Sequence, residues 1–250
     1  MNRSAHPARR TVAVIYAGDN DGQTGQGEPA DRAEPAGPAR QARPDLLAPL
    51  AGRPVVAHSL AAFTAAPGVD EVVMIAGPAL AGWQPDPSPR IVEAAGTRAR
   101  SIALALRMLA AAGHEDGCDV LIHDADRPLV SPRVIADCLA ALADSEAVCA
   151  AVPASDTMVA VQNDLITGRP PRERLRCRQY PQGFRLPVIQ RAYQLALAGP
   201  AFRDADDCAV VLRYLPGVPV RLVPGSEQGF RITGQADLGI AETLLQAGLR

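Results

Sequence analysis

Residues 120–130 read VLIHDADRPLV, which puts two carboxylates, Asp124 and Asp126, and the guanidinium of Arg127 directly after an apolar run. Val120, Leu121 and Ile122 favour a buried strand, and Pro128 forbids its continuation. The charges therefore stand where a strand leaves its sheet, the edge at which open α/β sheets bind ligands. Two chemistries are open to the pair of acids. Asp124 and Asp126 could hold a divalent ion between them, or Asp124 could cap the following turn while Asp126 is a surface change. His123 reads as a hydrogen-bonded structural residue rather than a base.

The chain that must position these groups has 250 residues, enough for one large α/β domain. Hydrophobic residues make up 48% and aromatics only 4%, so the core rests mainly on Ala, Val, Leu and Ile. A net charge of −2 gives no general pull toward nucleic acid or membrane. All 25 basic residues are arginine, which excludes a lysine Schiff base and the compact ammonium that often grips phosphate. The cysteines (Cys118, Cys138, Cys149, Cys177 and Cys208) are odd in number and form no CxxC pair, so neither a disulfide framework nor a zinc site is expected, and buried free thiols are. Basic residues precede the first apolar run, but that run is short and ends in Gly-Asp-Asn, so it reads as a first strand. No stretch is long enough to span a bilayer. A cytoplasmic protein is expected.

Strand-like and helical patterns alternate. TVAVIYA (11–17), DEVVMIAG (70–77), DVLIHDAD (119–126) and AVCAAVP (147–153) read as strands. Helical periodicity covers 55–66, 98–113 and 131–144, the last opened by Ser131 as N-cap and Pro132 in the first turn. Helices near 186–198, 206–214 and 235–247 and a strand at 218–224 follow. This alternation predicts an α/β fold with a mostly parallel sheet and helices on both faces. Two segments break it. Residues 18–45 are rich in Gly, Pro and charge and read as a long flexible loop. Residues 155–185 read as a protruding hairpin or arm, with short β-like runs about a Gly-Arg-Pro-Pro turn.

Seven stretches, LLAPLAGRPVVAHSLAAF, GTRARSIALAL, VLIHDADRPLV, AAVPASDTM, QYPQGFR, DADDCAVV and RITGQADLGIAETLL, occur in an order that resembles the 2-C-methyl-D-erythritol 4-phosphate cytidylyltransferases. The resemblance spans nearly the whole chain. It implies one Rossmann-like domain over 1–250, of the nucleotide-diphospho-sugar transferase type, with the arm at 155–185 clasping a second subunit in a homodimer. The implied reaction transfers CMP from CTP to 2-C-methyl-D-erythritol 4-phosphate or a related polyol phosphate, with Mg²⁺ bridging the phosphates and pyrophosphate leaving. Charge neutralisation by cations is central to such chemistry. The family pattern assigns Ala17, Gly18, Arg98, Ser101 and Asp124 to the nucleotide and Asp124 also to the metal. It assigns Arg127, Asp156, Thr157 and Arg231 to the polyol phosphate, and Arg231 and Asp124 to catalysis.

The chain also departs from that pattern. Asp45 stands where the family carries a lysine, and Ser155 where it carries Arg or Lys. Asp19 and Asp21 follow the first strand where a triphosphate would approach. Ala94 and Ala95 replace paired glycines before Arg98, and Arg231 replaces a lysine. Asp126 replaces an alanine. Three readings follow: an active cytidylyltransferase that uses other arginines, a catalytically impaired homologue serving as a binding or regulatory partner, and a nucleotide-sugar-dependent transferase built on Asp124 and Asp126.

Overall fold

The computed structural model describes residues 9–18, 45–86, 88–114, 117–199 and 206–248. Of the loop expected at 18–45, all but its ends, Gly18 and Asp45, lies outside the described residues. The first strand, β1 (Arg10–Ala17), has seven consecutive buried residues, as a strand covered on both faces requires. Its side chains alternate between two cores. Val12, Val14 and Tyr16 join one cluster, and Ala13, Ile15 and Ala17 the other.

After β1 come the two short strands β2 (Pro49–Leu50) and β3 (Arg53–Pro54), then α1 (Val55–Thr64), β4 (Glu71–Ala76), β5 (Arg90–Glu93) and α2 (Arg98–Leu109). The chain continues through β6 (Cys118–Asp124), α3 (Pro132–Leu142), β7 (Ala147–Pro153), β8 (Ala160–Gln162), β9 (Leu165–Gly168) and β10 (Arg176–Arg185). It closes with α4 (Leu186–Ala198), α5 (Asp207–Tyr214), β11 (Val220–Pro224) and α6 (Gln235–Gln246). Seven strands form one sheet in the order β11-β7-β10-β6-β1-β4-β5. Helices α2, α4 and α5 supply Ile102, Ile189 and Val211 to one core; α1, α3 and α6 supply Phe63, Ile135 and Ala241 to the other. The expected α/β architecture is present, with Ser131 capping α3 and Pro132 in its first turn.

The sequence pattern does not mark β2, β3 or β5, and the region of the expected arm differs from expectation. The segment 155–185 is not one arm. Its second half is β10, an interior strand antiparallel to both β6 and β7. The projecting hairpin is β8–β9, and it turns at Asn163–Asp164, where both φ angles are positive (51° and 61°), as a two-residue turn of twisted strands demands. Gly168 to Pro171 instead lead into a short 3₁₀ turn, Arg172–Arg174, before β10. Met158, Val161, Leu165 and Ile166 along the hairpin are exposed. The cysteines are free thiols, four of them buried, while Cys177 is exposed. Among the described residues no helix is long and apolar enough to cross a membrane.

Gly183 lets β10 fit at the centre of the sheet. A Cβ there would lie 2.7 Å from Val148 Cγ2 and 2.9 Å from both Leu121 Cδ2 and Leu142 Cδ1. Gly183→Ala is expected to lower stability by about 1–3 kcal/mol through overpacking, read as a reduced urea midpoint with unchanged slope.

Candidate functional site

The strand ends set the site. Asp124 closes β6 and stands level with Tyr16 of β1. The turn after it is fixed from several directions. Ala125 N–H donates to Tyr16 O at 2.9 Å, and Ile232 N–H to Asp126 O at 2.8 Å. The Ser59 hydroxyl of α1 donates to Ala125 O at 3.0 Å. His123 Nε2 lies 3.1 Å from Arg127 O. Burial drives the imidazole pKa down to about 4 against the pull of Asp124, so His123 is neutral at neutral pH and donates that bond from Nε2. It serves as a strut, in keeping with its sequence reading.

Arg98 enters from the first turn of α2, which Thr97 caps by accepting from Arg100 N–H. Its guanidinium is buried between two acids. Nη2 donates to Asp124 Oδ1 at 3.2 Å and to Asp207 Oδ2 at 2.8 Å, and Nη1 to Asp207 Oδ1 at 3.1 Å. The Tyr16 and Tyr180 rings lie 5.3 and 5.4 Å from it, within cation–π range. Tyr193 of α4 donates its hydroxyl to Asp207 Oδ1 at 2.6 Å. Burial works against the cation, yet Asp207, Tyr180 and Asp124 raise its pKa well above the ordinary arginine value. Arg98 is thus a permanent charge held by two carboxylates.

On the other side of Asp124, Arg231 Nη2 donates to Oδ2 at 2.5 Å, and Arg231 Nε lies 3.4 Å from Asp126 Oδ1. The Arg231 side chain keeps 38% exposure, whereas Asp124 and Asp126 have none. Arg127 donates from Nη1 to Gly229 O at 2.9 Å and lies 5.5 Å from the Tyr180 ring. Gln179 of β10 clamps the same segment, donating to Ser226 O at 2.8 Å and accepting Ser226 N–H at 3.1 Å.

The structure therefore brings Asp124, Arg98, Arg127 and Arg231 together, with Ala17 and Gly18 buried at the adjoining end of β1. Gly18 lies against the Tyr16 ring, at a spacing that a Cβ would reduce to 2.9 Å. Ser101 is fully buried, accepting from Ala95 N–H at 2.8 Å and donating to Thr97 O at 2.9 Å. It shapes the 94–97 loop from beneath. Ala94 packs against the core, and neither it nor Ala95 has a positive φ, so the methyl groups cost the backbone nothing. Ser155, Asp156 and Thr157 are exposed at the root of the hairpin, with Ser155 Oγ 3.5 Å from Asp156 Oδ2. They stand on the hairpin rather than in the cluster about Asp124. Asp45, also exposed, closes a turn by accepting Leu47 N–H at 2.8 Å. Asp207, Tyr193, Tyr16 and Tyr180 are partners that the sequence reading did not single out. Asp207 lies within the DADDCAVV stretch, which was the available signal.

Among the described residues no three His, Cys, Asp or Glu side chains gather into a metal-holding group. Magnesium at phosphate sites usually takes one or two carboxylates, with phosphate oxygens and water completing its shell. Asp124 and Asp126 fit that smaller requirement. A cavity of about 250 Å³ lined by Thr64, Glu71, Val72 and Arg90 opens near the starts of β4 and β5, the opposite edge of the sheet from Asp124.

The family described as 2-C-methyl-D-erythritol 4-phosphate cytidylyltransferase matches residues 36–247. A protein of that name from Thermobifida fusca (strain YX) is 40% identical over 262 residues, covering 100% of this chain and 98% of the relative. The fold is similar to that of 4-diphosphocytidyl-2C-methyl-D-erythritol synthase from Anaerococcus prevotii DSM 20548, with TM-score 0.75 and 22% identity over 96% of this chain and 99% of that one. It is also similar to the 2-C-methyl-D-erythritol 4-phosphate cytidylyltransferase from Thermus thermophilus, with TM-score 0.70 and 27% identity over 93% and 98% of the two chains.

Removing one partner of a buried ion pair costs about 3–5 kcal/mol. Asp207→Ala is expected to lose that much in denaturant unfolding, and Tyr193→Phe, which keeps the charge pair, less than half as much. Equal stabilities for Asp207→Ala and the parent would refute the assignment of Arg98's charge balance to Asp207.

Proposed function

Since this chain belongs to the 2-C-methyl-D-erythritol 4-phosphate cytidylyltransferase family, we propose that it transfers CMP from CTP to 2-C-methyl-D-erythritol 4-phosphate and releases pyrophosphate. The observation that carries this reading is the convergence of separately matched stretches, through Arg98, Asp124, Asp207 and Arg231, on one carboxyl edge of the sheet. The alternatives of a non-catalytic partner and a nucleotide-sugar transferase have no observation in their favour.

Each residue then has a task. Arg231, the most exposed cation of the cluster, meets the phosphate of the polyol and neutralises charge that builds as the phosphate oxygen attacks the α-phosphorus. Arg98 and Asp124 are held by one another, so Asp124 is presented at a fixed position. Asp124 and Asp126 would hold Mg²⁺, which when bound supplies charge neutralisation to the phosphates. Gly18 and Ala17 border the nucleotide side, and the loop shaped by Ser101 borders the base. Arg127 and His123 brace the turn. Asp156 and Thr157 belong with the polyol site through a second copy, which fits their exposure at the root of the hairpin. A cytoplasmic setting suits the substrates.

The direct test is incubation of purified protein with CTP, Mg²⁺ and 2-C-methyl-D-erythritol 4-phosphate. Pyrophosphate and the cytidine diphosphate product should appear in equal amounts. Arg231→Ala should lower kcat by about 10²–10³-fold, the usual loss for one charge-stabilising donor. No product at any substrate concentration would refute the proposal.

The exposed apolar side chains of the hairpin support a homodimer, since a free two-stranded ribbon has no core of its own. Sedimentation at micromolar concentration should give twice the chain mass. Leu165→Asp with Ile166→Asp should shift it to the monomer, whereas a monomeric parent would refute the dimer.

A further inference from the structure

Asp126 engages the segment that carries Arg231 through both its backbone and its side chain. Its carbonyl accepts Ile232 N–H at 2.8 Å, and its Oδ1 lies 3.4 Å from Arg231 Nε. Asp124 takes Arg231 Nη2 at 2.5 Å. Asp124 thus accepts a hydrogen bond from the guanidinium, while Asp126 sits beside Nε within ion-pair distance without accepting one from it. The side chain's 38% exposure leaves the guanidinium reachable by a ligand. Burial would lower the pKa of Arg231, but Asp126 foremost and then Asp124 raise it. Asp126 is therefore a second electrostatic partner, beside Asp124, of the cation best placed to meet phosphate.

The charges of the whole cluster balance. Among the described residues, the guanidinium groups of Arg98, Arg127 and Arg231 are matched by the carboxylates of Asp124, Asp126 and Asp207. A phosphate arriving at Arg231 meets that charge and, a few ångströms behind it, the opposing charge of Asp126. Attraction and repulsion largely cancel at such spacing.

We propose that Asp126 is the charge-balancing residue of this site: facing Arg231, it withholds that cation from a bare phosphate and makes phosphate binding depend on a divalent ion. The inference rests on the cytidylyltransferase reading only for the identity of the natural phosphates. It concerns affinity in the absence of metal, which does not require turnover. A merely structural Asp126 would predict weaker binding on substitution, whereas charge balance predicts stronger binding.

The experiment is calorimetric titration of the full chain with inorganic pyrophosphate in chelator, and again with Mg²⁺, for the parent and for Asp126→Asn. The parent should bind weakly in chelator and much more tightly with Mg²⁺. Asp126→Asn, of the same shape but uncharged, should bind at least about tenfold more tightly than the parent in chelator. Adding Arg231→Gln to it should abolish the gain. Asp126→Ala serves in its place should the asparagine variant lose its cooperative melting transition. Unchanged or weaker metal-free binding in the variant overturns the proposal, as does a gain that survives loss of Arg231. Turnover failure with the parent would instead count against the cytidylyltransferase reading and leave this titration decisive for Asp126.

Discussion

A guanidinium stripped of water is costly unless carboxylates replace its hydration, and Arg98 meets that demand with Asp124 from the end of β6 and Asp207 from the start of α5. Three elements, α2, β6 and α5, are thereby tied to one cation. Asp207 in turn needs Tyr193 from α4, and Asp124 extends the chain to Arg231, 107 residues away in sequence. The site is thus an extension of the fold's own electrostatics. Its polar groups are oriented before any ligand arrives, the condition under which fixed charges act most strongly on a transition state.

The absence of lysine shapes how this is done. An ammonium at 231 would be a single point charge. The guanidinium donates to Asp124, lies beside Asp126 and still keeps 38% side-chain exposure, so it can join the buried network and still face outward. Arg127 shows the same division on a smaller scale, bonding Gly229 O while stacking near Tyr180. A chain restricted to arginine binds its cations more firmly into the protein and needs acids placed accordingly.

Strong local periodicity made most of the fold legible. The alternation of β1 and the neighbouring helical patterns marked strands and helices to within a few residues, and Ser131–Pro132 marked the start of α3. β10 was hidden because RCRQYPQGFR does not alternate and contains Gln together with Pro and Gly, which strands disfavour. Long-range packing explains two of them. Gly183 fits where no side chain would, and Gln182 uses its amide to dock the start of α5 through Asp206 and Cys208 N–H. The short edge strand β5 carried too little pattern to announce itself. At the site, Asp124, Arg98 and Arg231 were found through ordered motifs. Their partners Asp207 and Tyr193 are defined by contact across 109 and 14 residues, which no local spacing encodes.

The departures from the family pattern separate along a physical line. Asp45 and Ser155, where cations are missing, are exposed and bear little on the core, so changing them alters stability by a small amount. Arg98, Asp124 and Asp207 are buried and mutually dependent, and loss of any one would leave another charge stranded. Asp126 lies between these groups. It is buried like the framework, yet its partner Arg231 keeps 38% side-chain exposure, so Asp126 links the interior to the surface of the site. The burial of a charge here sets how freely folding allows it to vary. Its distance from the exposed cation Arg231 sets what that variation does to the charge the site presents, and Asp126 is the position at which both apply.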